Sequence, residues 1–268
     1  MLKKIRDLIL PPPIIHCSVT TSAPNECLKD EVVVVTGGGS GIGRTVAIRA
    51  ASLGACVIVL GRREHLLKKV AMEIGEEHCR YFVYDVTQAD GGEELFEKLE
   101  SIFGRRITAV VNNAGIYIDK KPTEFTVDDF DSVIATNLKA PMFISIAFVK
   151  YCKKYEGKGN IVMTASNRGL FPDYGPYGVS KKGIIHYAEG LARELIGTGI
   201  RVNAVAPGMT ASEINGRDIA GNMYTNSARG KRVLMPEEIA EIICFLISGY
   251  SACINGATIP CDEGDCLR

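Results

Sequence analysis

The chain carries no net charge: 31 lysines and arginines balance 31 aspartates and glutamates over 268 residues. No global field is available to draw in nucleic acid or an anionic membrane. No basic stripe interleaved with aromatics makes up for that locally. The nine cysteines are odd in number and contain no CxxC pair, which argues against a disulfide scaffold at this length. Cys56 and Cys244 lie in apolar runs, so reduced, buried thiols in a cytoplasmic protein are expected. His16, His65, His78 and His186 have no ligand spacing, and no metal site is expected. No apolar run reaches transmembrane length, and there is neither a solenoid repeat nor a low-complexity tract.

What is present divides the chain at about residue 30. Within residues 1–29, Leu2, Ile5, Leu8 and Ile9 share one side of a short basic helix over Met1–Leu10, which Pro11–Pro13 would stop. An arm packing on the body or on a partner subunit is the reading taken; a targeting segment and a membrane-surface helix stay open. Ser18–Asp30 reads as a linker into one domain over residues 30–268.

In that domain, apolar β-branched runs alternate with longer segments of helical period. Strands are expected at Val32–Thr36, Cys56–Leu60, Tyr81–Tyr84, Ile107–Asn112, Gly159–Ala165, Ile200–Ala206 and Thr258–Pro260. Continuous rather than alternating apolar strands indicate burial on both faces, hence a parallel sheet between helix layers. Ile42, Val46, Ala50 and Leu53 mark one helix face. Ile239, Ile242, Ile243 and Leu246 mark another, with Pro236 in its first turn. The fold class is α/β: a doubly wound Rossmann fold with a seven-stranded parallel sheet.

Between the first strand and the first helix lies Gly37-x3-Gly41-x-Gly43. Glycines let the backbone approach a pyrophosphate, and the unpaired amides at a helix start favour negative charge. Gly37, Gly39, Ser40, Gly41, Ile42 and Gly43 are therefore candidate nucleotide contacts. The spacing differs from GxGxxG, and its place in a βαβ series carries the reading. A carboxylate at the end of the second strand would bind a ribose 2′-hydroxyl. Here stand Gly61, Arg62 and Arg63, and a guanidinium suits a 2′-phosphate. NADP is expected, with NAD second. Ser40 stands where a second cation would have strengthened that choice.

Far downstream, Tyr177-Gly178-Val179-Ser180-Lys181 puts a phenol and an ammonium one helical turn apart. A phenol of pKa near 10 relays protons poorly at neutral pH, and a cation close by would lower that value. Any Tyr-x3-Lys pair has this geometry, so the spacing gains its meaning from what surrounds it.

The chain resembles the short-chain dehydrogenase/reductase family from about Asp30 to its end. The resemblance rests on Thr36–Gly43, Asp85, Asn112-Asn113-Ala114-Gly115, Asn137, Ser166, Tyr177-x3-Lys181, Pro207-Gly208 and Asp262-Glu263-Gly264, in that order. The pattern is most similar to 3-oxoacyl-[acyl-carrier-protein] reductases. The resemblance implies a catalytic set of Asn137, Ser166, Tyr177 and Lys181. Tyr177 would exchange the proton of a carbonyl or hydroxyl, and Ser166 would bond the substrate oxygen. Lys181 would hold the nicotinamide ribose, and Asn137 a water for proton resupply. Asp85 and Val86 would meet the adenine, Asn113, Ala114 and Gly115 the adenine-ribose side, and Pro207, Gly208 and Ser212 the nicotinamide.

Alternatives remain at this stage. Asn137 also reads as a polar helix residue bonded locally, and Asp85 as a turn residue. Thr164 competes with Ser166, which lies eleven residues before Tyr177, a shorter gap than the family usually has. Glu263 stands in place of a usual glycine.

Phe171–Pro176 and Met209–Arg232 are expected to wall and cover a substrate site. They mix Phe171, Tyr174, Met209, Ile214, Met223 and Tyr224 with Arg217, Arg229, Lys231 and Arg232. A lipophilic ketone or an acyl-thioester would suit the apolar members. The reading is an NADP(H)-linked enzyme interconverting a ketone and a secondary alcohol. Hydroxysteroid or sugar dehydrogenation is the nearest alternative, and a non-catalytic nucleotide sensor the alternative of another class. The resemblance also implies a homodimer or homotetramer packed through Val127–Tyr155 and Gly175–Ile196.

Overall fold

The computed structural model describes residues 26–155, 157–211 and 221–267. The arm expected over Met1–Leu10 and most of its linker lie outside them. Seven strands form one sheet: β1 Val32–Thr36, β2 Cys56–Gly61, β3 Cys79–Val83, β4 Ala109–Asn112, β5 Gly159–Thr164, β6 Ile200–Pro207 and β7 Thr258–Cys261. Every pairing is parallel, in the order β3-β2-β1-β4-β5-β6-β7. The chain reverses direction of winding between β1 and β4, so the crevice beyond their carboxyl ends is where such a sheet binds its ligand.

The sheet is sandwiched. On one side lie α1 Gly41–Ser52, α2 Glu64–Ile74 and α7 Pro236–Ile247; on the other, α3 Glu94–Phe103, α5 Ala140–Lys153 and α6 Pro176–Glu194. β1 and β4 are buried at every position, as near-continuous apolar strands require. β7, at an edge, is half-buried, and it tolerates Pro260 because an edge strand need not donate from both sides.

β4 starts two residues later than its apolar run predicts: the Ile107 amide leaves the ladder, and the Thr108 side chain joins its backbone in bonding Val32. The Ile107 amide donates to the Tyr151 hydroxyl (3.0 Å), and the Thr108 hydroxyl accepts the Val32 amide (2.8 Å). The long helix expected over Val127–Tyr155 is interrupted. α4 Val127–Ile134 passes through a π-helical turn, Ala135–Lys139, before α5 begins. Pro141 has no N–H to close an α-turn onto the Asn137 carbonyl, so the ladder widens there. Val127–Lys153 as a whole is long and apolar enough to cross a membrane, but half of its most apolar window is buried in the body.

Candidate active site

The end of β1 is tied to the loop after β4 by one hydroxyl. Thr36 Oγ1 accepts the amides of Asn113 (2.9 Å) and Ala114 (3.0 Å), while Asn113 Nδ2 donates to the Thr36 carbonyl (3.1 Å). The chain then turns through Gly41 at φ 51°, a left-handed conformation that disfavours side chains. Gly43 is needed for room: a Cβ there would lie 2.5 Å from Asn113 Nδ2 and collide with the Gly37 carbonyl. Gly43 thus packs behind the turn, while Gly37, Gly39, Ser40, Gly41 and Ile42 line a cavity of about 930 Å³. The Ser40 side chain leaves the helix start uncapped and instead accepts a bond from the Arg63 guanidinium (2.9 Å).

Arg62 and Arg63 both border this end of the cavity, with Asp85 and Val86 across from them. Asp85 Oδ1 accepts the amide (3.0 Å) and hydroxyl (2.8 Å) of Thr87, so it caps a turn and faces the cavity as well. The Thr87 amide bond, aided by its hydroxyl and by Arg62, lowers the Asp85 pKa against the opposing effect of burial. Asn113, Ala114, Gly115, Pro207 and Gly208 line the next stretch of wall. Ser212 lies outside the described residues, as do Ile214 and Arg217.

At the other end, Ser166 leaves β5 and caps a short 3-10 turn, Asn167–Gly169, with its hydroxyl accepting the Arg168 amide (3.2 Å). That turn brings the chain back in few residues, which accommodates the eleven-residue gap. The Ser166 hydroxyl donates to the Pro207 carbonyl (3.4 Å) and stands near enough to Tyr177 to work against the rise of its pKa. Thr164 serves differently: its carbonyl accepts from Lys181 Nζ (2.7 Å), while its own hydroxyl is buried with no partner among the described residues.

The relation of Lys181 to Tyr177 departs from expectation. Lys181 Nζ sits 5.5 Å from the centre of the tyrosine ring, bonded to Thr164 rather than to the phenol. Burial pushes its pKa down to about 8. Burial also raises the Tyr177 pKa, and the opposing influences are the Ser166 hydrogen bond and the Arg168 charge. Lys181 is itself short of solvent, which is what lowers its own pKa.

Asn137 lies in the π turn and is 2 % exposed. Its side chain is not bonded locally. Oδ1 accepts the Ile116 amide (2.8 Å), and Nδ2 donates to the Ile116 carbonyl (2.9 Å) and to Ser180 Oγ (3.3 Å). It stands behind the wall, fixing the loop that carries Gly115; a Cβ on Gly115 would lie 3.4 Å from Asn137 Oδ1 and 3.6 Å from Lys181 Nζ.

Three wall residues were not singled out from sequence. The Tyr117 ring meets that of Tyr177 edge-on at 5.1 Å. Arg168 lies over the Tyr117 ring at 5.7 Å and donates to Asp173 (2.9 Å). Asp265, from the C-terminal end, accepts from Asn167 Nδ2 (3.1 Å) and the Arg229 amide (2.9 Å). Arg168, two residues after Ser166, was within reach of a spacing argument; Asp265 had no sequence signal. The expected apolar cover is only partly at the cavity. Phe171 and Met209 line it, whereas Met223 is buried in a cluster with Ala211, Val233 and Met235, and Tyr174 points to solvent. Arg232 is held by Glu238 (2.7 Å to each oxygen) and by Glu263 (2.7 Å), the residue that replaces the usual glycine and adopts φ 52°.

The short chain dehydrogenase family profile matches residues 31–222. The 3-oxoacyl-[acyl-carrier-protein] reductase of Thermotoga maritima is 34 % identical over 247 residues, covering 88 % of this chain and 98 % of the relative. The meso-2,3-butanediol dehydrogenase of Serratia marcescens is 30 % identical over 240 residues, covering 88 % and 94 %. Among solved structures, a short chain dehydrogenase from Bacillus anthracis superposes with a TM-score of 0.80 at 31 % identity, over 90 % of this chain and 98 % of that one. The 3-ketoacyl-(acyl-carrier-protein) reductase from Brucella melitensis, complexed with NADH, reaches 0.80 at 26 % identity, over 90 % and 100 %. With a profile spanning most of the chain and a glycine-turn cavity ending in serine, tyrosine and lysine, the chain belongs to the short-chain dehydrogenase/reductase family, NAD(P)-dependent oxidoreductases acting on CH–OH groups.

Proposed function

We propose that the protein is an NADP(H)-dependent oxidoreductase interconverting a ketone and a secondary alcohol, with Tyr177 as its acid and base. The observation that carries this reading is that Ser166, Tyr177 and Lys181 line one cavity with the glycine turn. The cavity suits a dinucleotide: Gly37, Gly39 and Gly41 leave bare backbone at its wall, and the buried Thr164 hydroxyl has no partner among the described residues. The amides of Gly39–Ile42 would hold the pyrophosphate and Arg62 with Arg63 the 2′-phosphate. Asp85 and Val86 would face the adenine, Asn113–Gly115 its ribose, Lys181 the nicotinamide ribose, and Pro207, Gly208 and Ser212 the nicotinamide. Bound nicotinamide supplies a hydride to the carbonyl carbon, or accepts one in the reverse direction.

The residues of this chain manage the oxygen. In reduction, Tyr177 gives its proton to the carbonyl oxygen as negative charge develops there, and the Ser166 hydroxyl donates a second bond to the same atom. Lys181, at about pKa 8, is still protonated at pH 7 and stabilises the phenolate left behind. Asn137 keeps the Gly115–Ile116 loop against Lys181.

A paired NADPH and NADH turnover screen over ketones and alcohols tests the reading. Turnover is expected with NADPH, and Tyr177→Phe should lower it by about 10²- to 10⁴-fold. Tight NADPH binding without any turnover would turn the assignment toward a nucleotide sensor. A second reading, a 3-oxoacyl thioester as substrate, is favoured by the name of the Thermotoga maritima relative. We further propose self-association through α4 and α6, where Val127, Phe130 and Val179 are exposed apolar side chains. Sedimentation as a dimer or tetramer is expected.

A further inference from the structure

The catalytic end of the cavity contains a cation to which the proposed chemistry assigns no substrate contact. The lid cation Arg232 is bound by Glu238 and Glu263, and Arg62 and Arg63 stand at the far end. Lys181 is buried and bonded to Thr164. Arg168 differs: it lines the same wall as Ser166 and Tyr177, and its side chain is 43 % exposed. It is also firmly held. One guanidinium nitrogen donates to Asp173 Oδ2, whose partner oxygen accepts the Gly175 amide (2.9 Å) at the start of α6. Asp173 is itself fixed against the first turn of α6, since a Cβ on Gly178 would collide with it. The guanidinium carbon lies 5.7 Å from the centre of the Tyr117 ring, whose hydroxyl is bonded to Asp119 (3.2 Å). Among the described residues, that leaves most of the five N–H groups of Arg168 without a protein acceptor.

A guanidinium anchored through one nitrogen in a cavity wall is suited to receive a carboxylate. We propose that Arg168 binds a carboxylate carried by the substrate near its reacting carbonyl, making the substrate an oxo acid and its product a hydroxy acid. The charge already in the wall selects a monoanion. Asp173 offsets part of the Arg168 charge, Asp119 and Asp265 face the same space, and a phosphate dianion would meet their repulsion. Both Asp265 oxygens are engaged, by Asn167 and by the Arg229 amide, so this carboxylate does not compete for the guanidinium. The Arg168 charge also helps the phenolate of Tyr177. A substrate that placed its carboxylate there would therefore reach the reacting position already oriented.

This inference rests on the ketone reductase reading, and the test separates the two. Acetoacetate and 2-oxobutanoate are compared with their methyl esters and with acetoacetyl thioester, using NADPH and the full chain. The acids should exceed the esters in kcat/KM by about ten- to a hundred-fold, the span of one charge-assisted contact. In Arg168→Met that ratio should fall toward one, and in Arg168→Lys to an intermediate value because a single ammonium lacks the fork. Calorimetric titration of acetoacetate into wild type and Arg168→Met, both confirmed folded by circular dichroism, gives a readout that needs no turnover. Loss of binding in the variant supports the site even if no compound is reduced, in which case the reductase reading alone has failed. Esters reduced as fast as acids, equal losses for both in Arg168→Met, or unchanged acetoacetate binding would each overturn the assignment.

Discussion

Replacing Lys181 by methionine should remove activity and yet stabilise the protein near neutral pH. The side chain is 4 % exposed, and burial brings its pKa from 10.5 to about 8. At 1.36 kcal/mol per pH unit, holding that proton in the folded state costs ~3 kcal/mol. The unfolded lysine keeps its proton up to about pH 10.5 while the folded one releases it near pH 8, so the unfolded state binds more protons in between. Stability from this group therefore rises with pH across that window, and the full penalty applies below it. Between pH 7 and pH 10 wild type should regain about 2–3 kcal/mol relative to Lys181→Met, or roughly 5–10 °C in Tm for a chain of this size. The assay is thermal and urea unfolding of both proteins without nicotinamide, from pH 6.5 to 10. Cysteines and tyrosines that titrate in both proteins cancel in the difference. Parallel curves for the two proteins would refute the argument, since they would mean that Lys181 is not strained by burial.

Ser166→Ala should lower kcat by roughly 10²- to 10³-fold, whereas Thr164→Val, which alters a hydroxyl with no partner among the described residues, should leave most of it; steady-state kinetics that rank them the other way would reassign the substrate oxygen's donor. Arg62→Ala should raise KM for NADPH about ten- to a hundred-fold and change KM for NADH little, and equal effects on both would remove the 2′-phosphate assignment. Gly43→Ala forces a methyl group against the Gly37 carbonyl and Asn113. It should cost about 1–3 kcal/mol in urea unfolding and abolish the thermal shift that NADPH gives to wild type.

Several readings from sequence stay open until contact between distant segments is known. Hydroxyl identity is one: Ser166 and Thr164 are equally suited to the role by chemistry, and only the turn at Asn167–Gly169 aims one at Tyr177. The role of Lys181 is another. A Tyr-x3-Lys pair fixes a helical face, but not whether the ammonium meets the phenol oxygen or, as here, the Thr164 carbonyl and the ring. The lid was misjudged because apolar composition does not distinguish Phe171, which lines the cavity, from Met223, which fills a separate small core.

What the sequence determined by itself is local and periodic. Apolar runs buried on both faces, glycine placement at the first turn and the four-residue tyrosine–lysine spacing each follow from backbone geometry that neighbouring residues set. Tertiary structure alone decided which charges meet. Asp265 reaches Asn167 across 98 residues, Asn137 clasps Ile116 across 21, and Arg168 faces Tyr177 only because Asp173 and the start of α6 hold it there. Electrostatic partnership depends on distance and solvent in three dimensions, and neither is encoded in the local pattern of the chain.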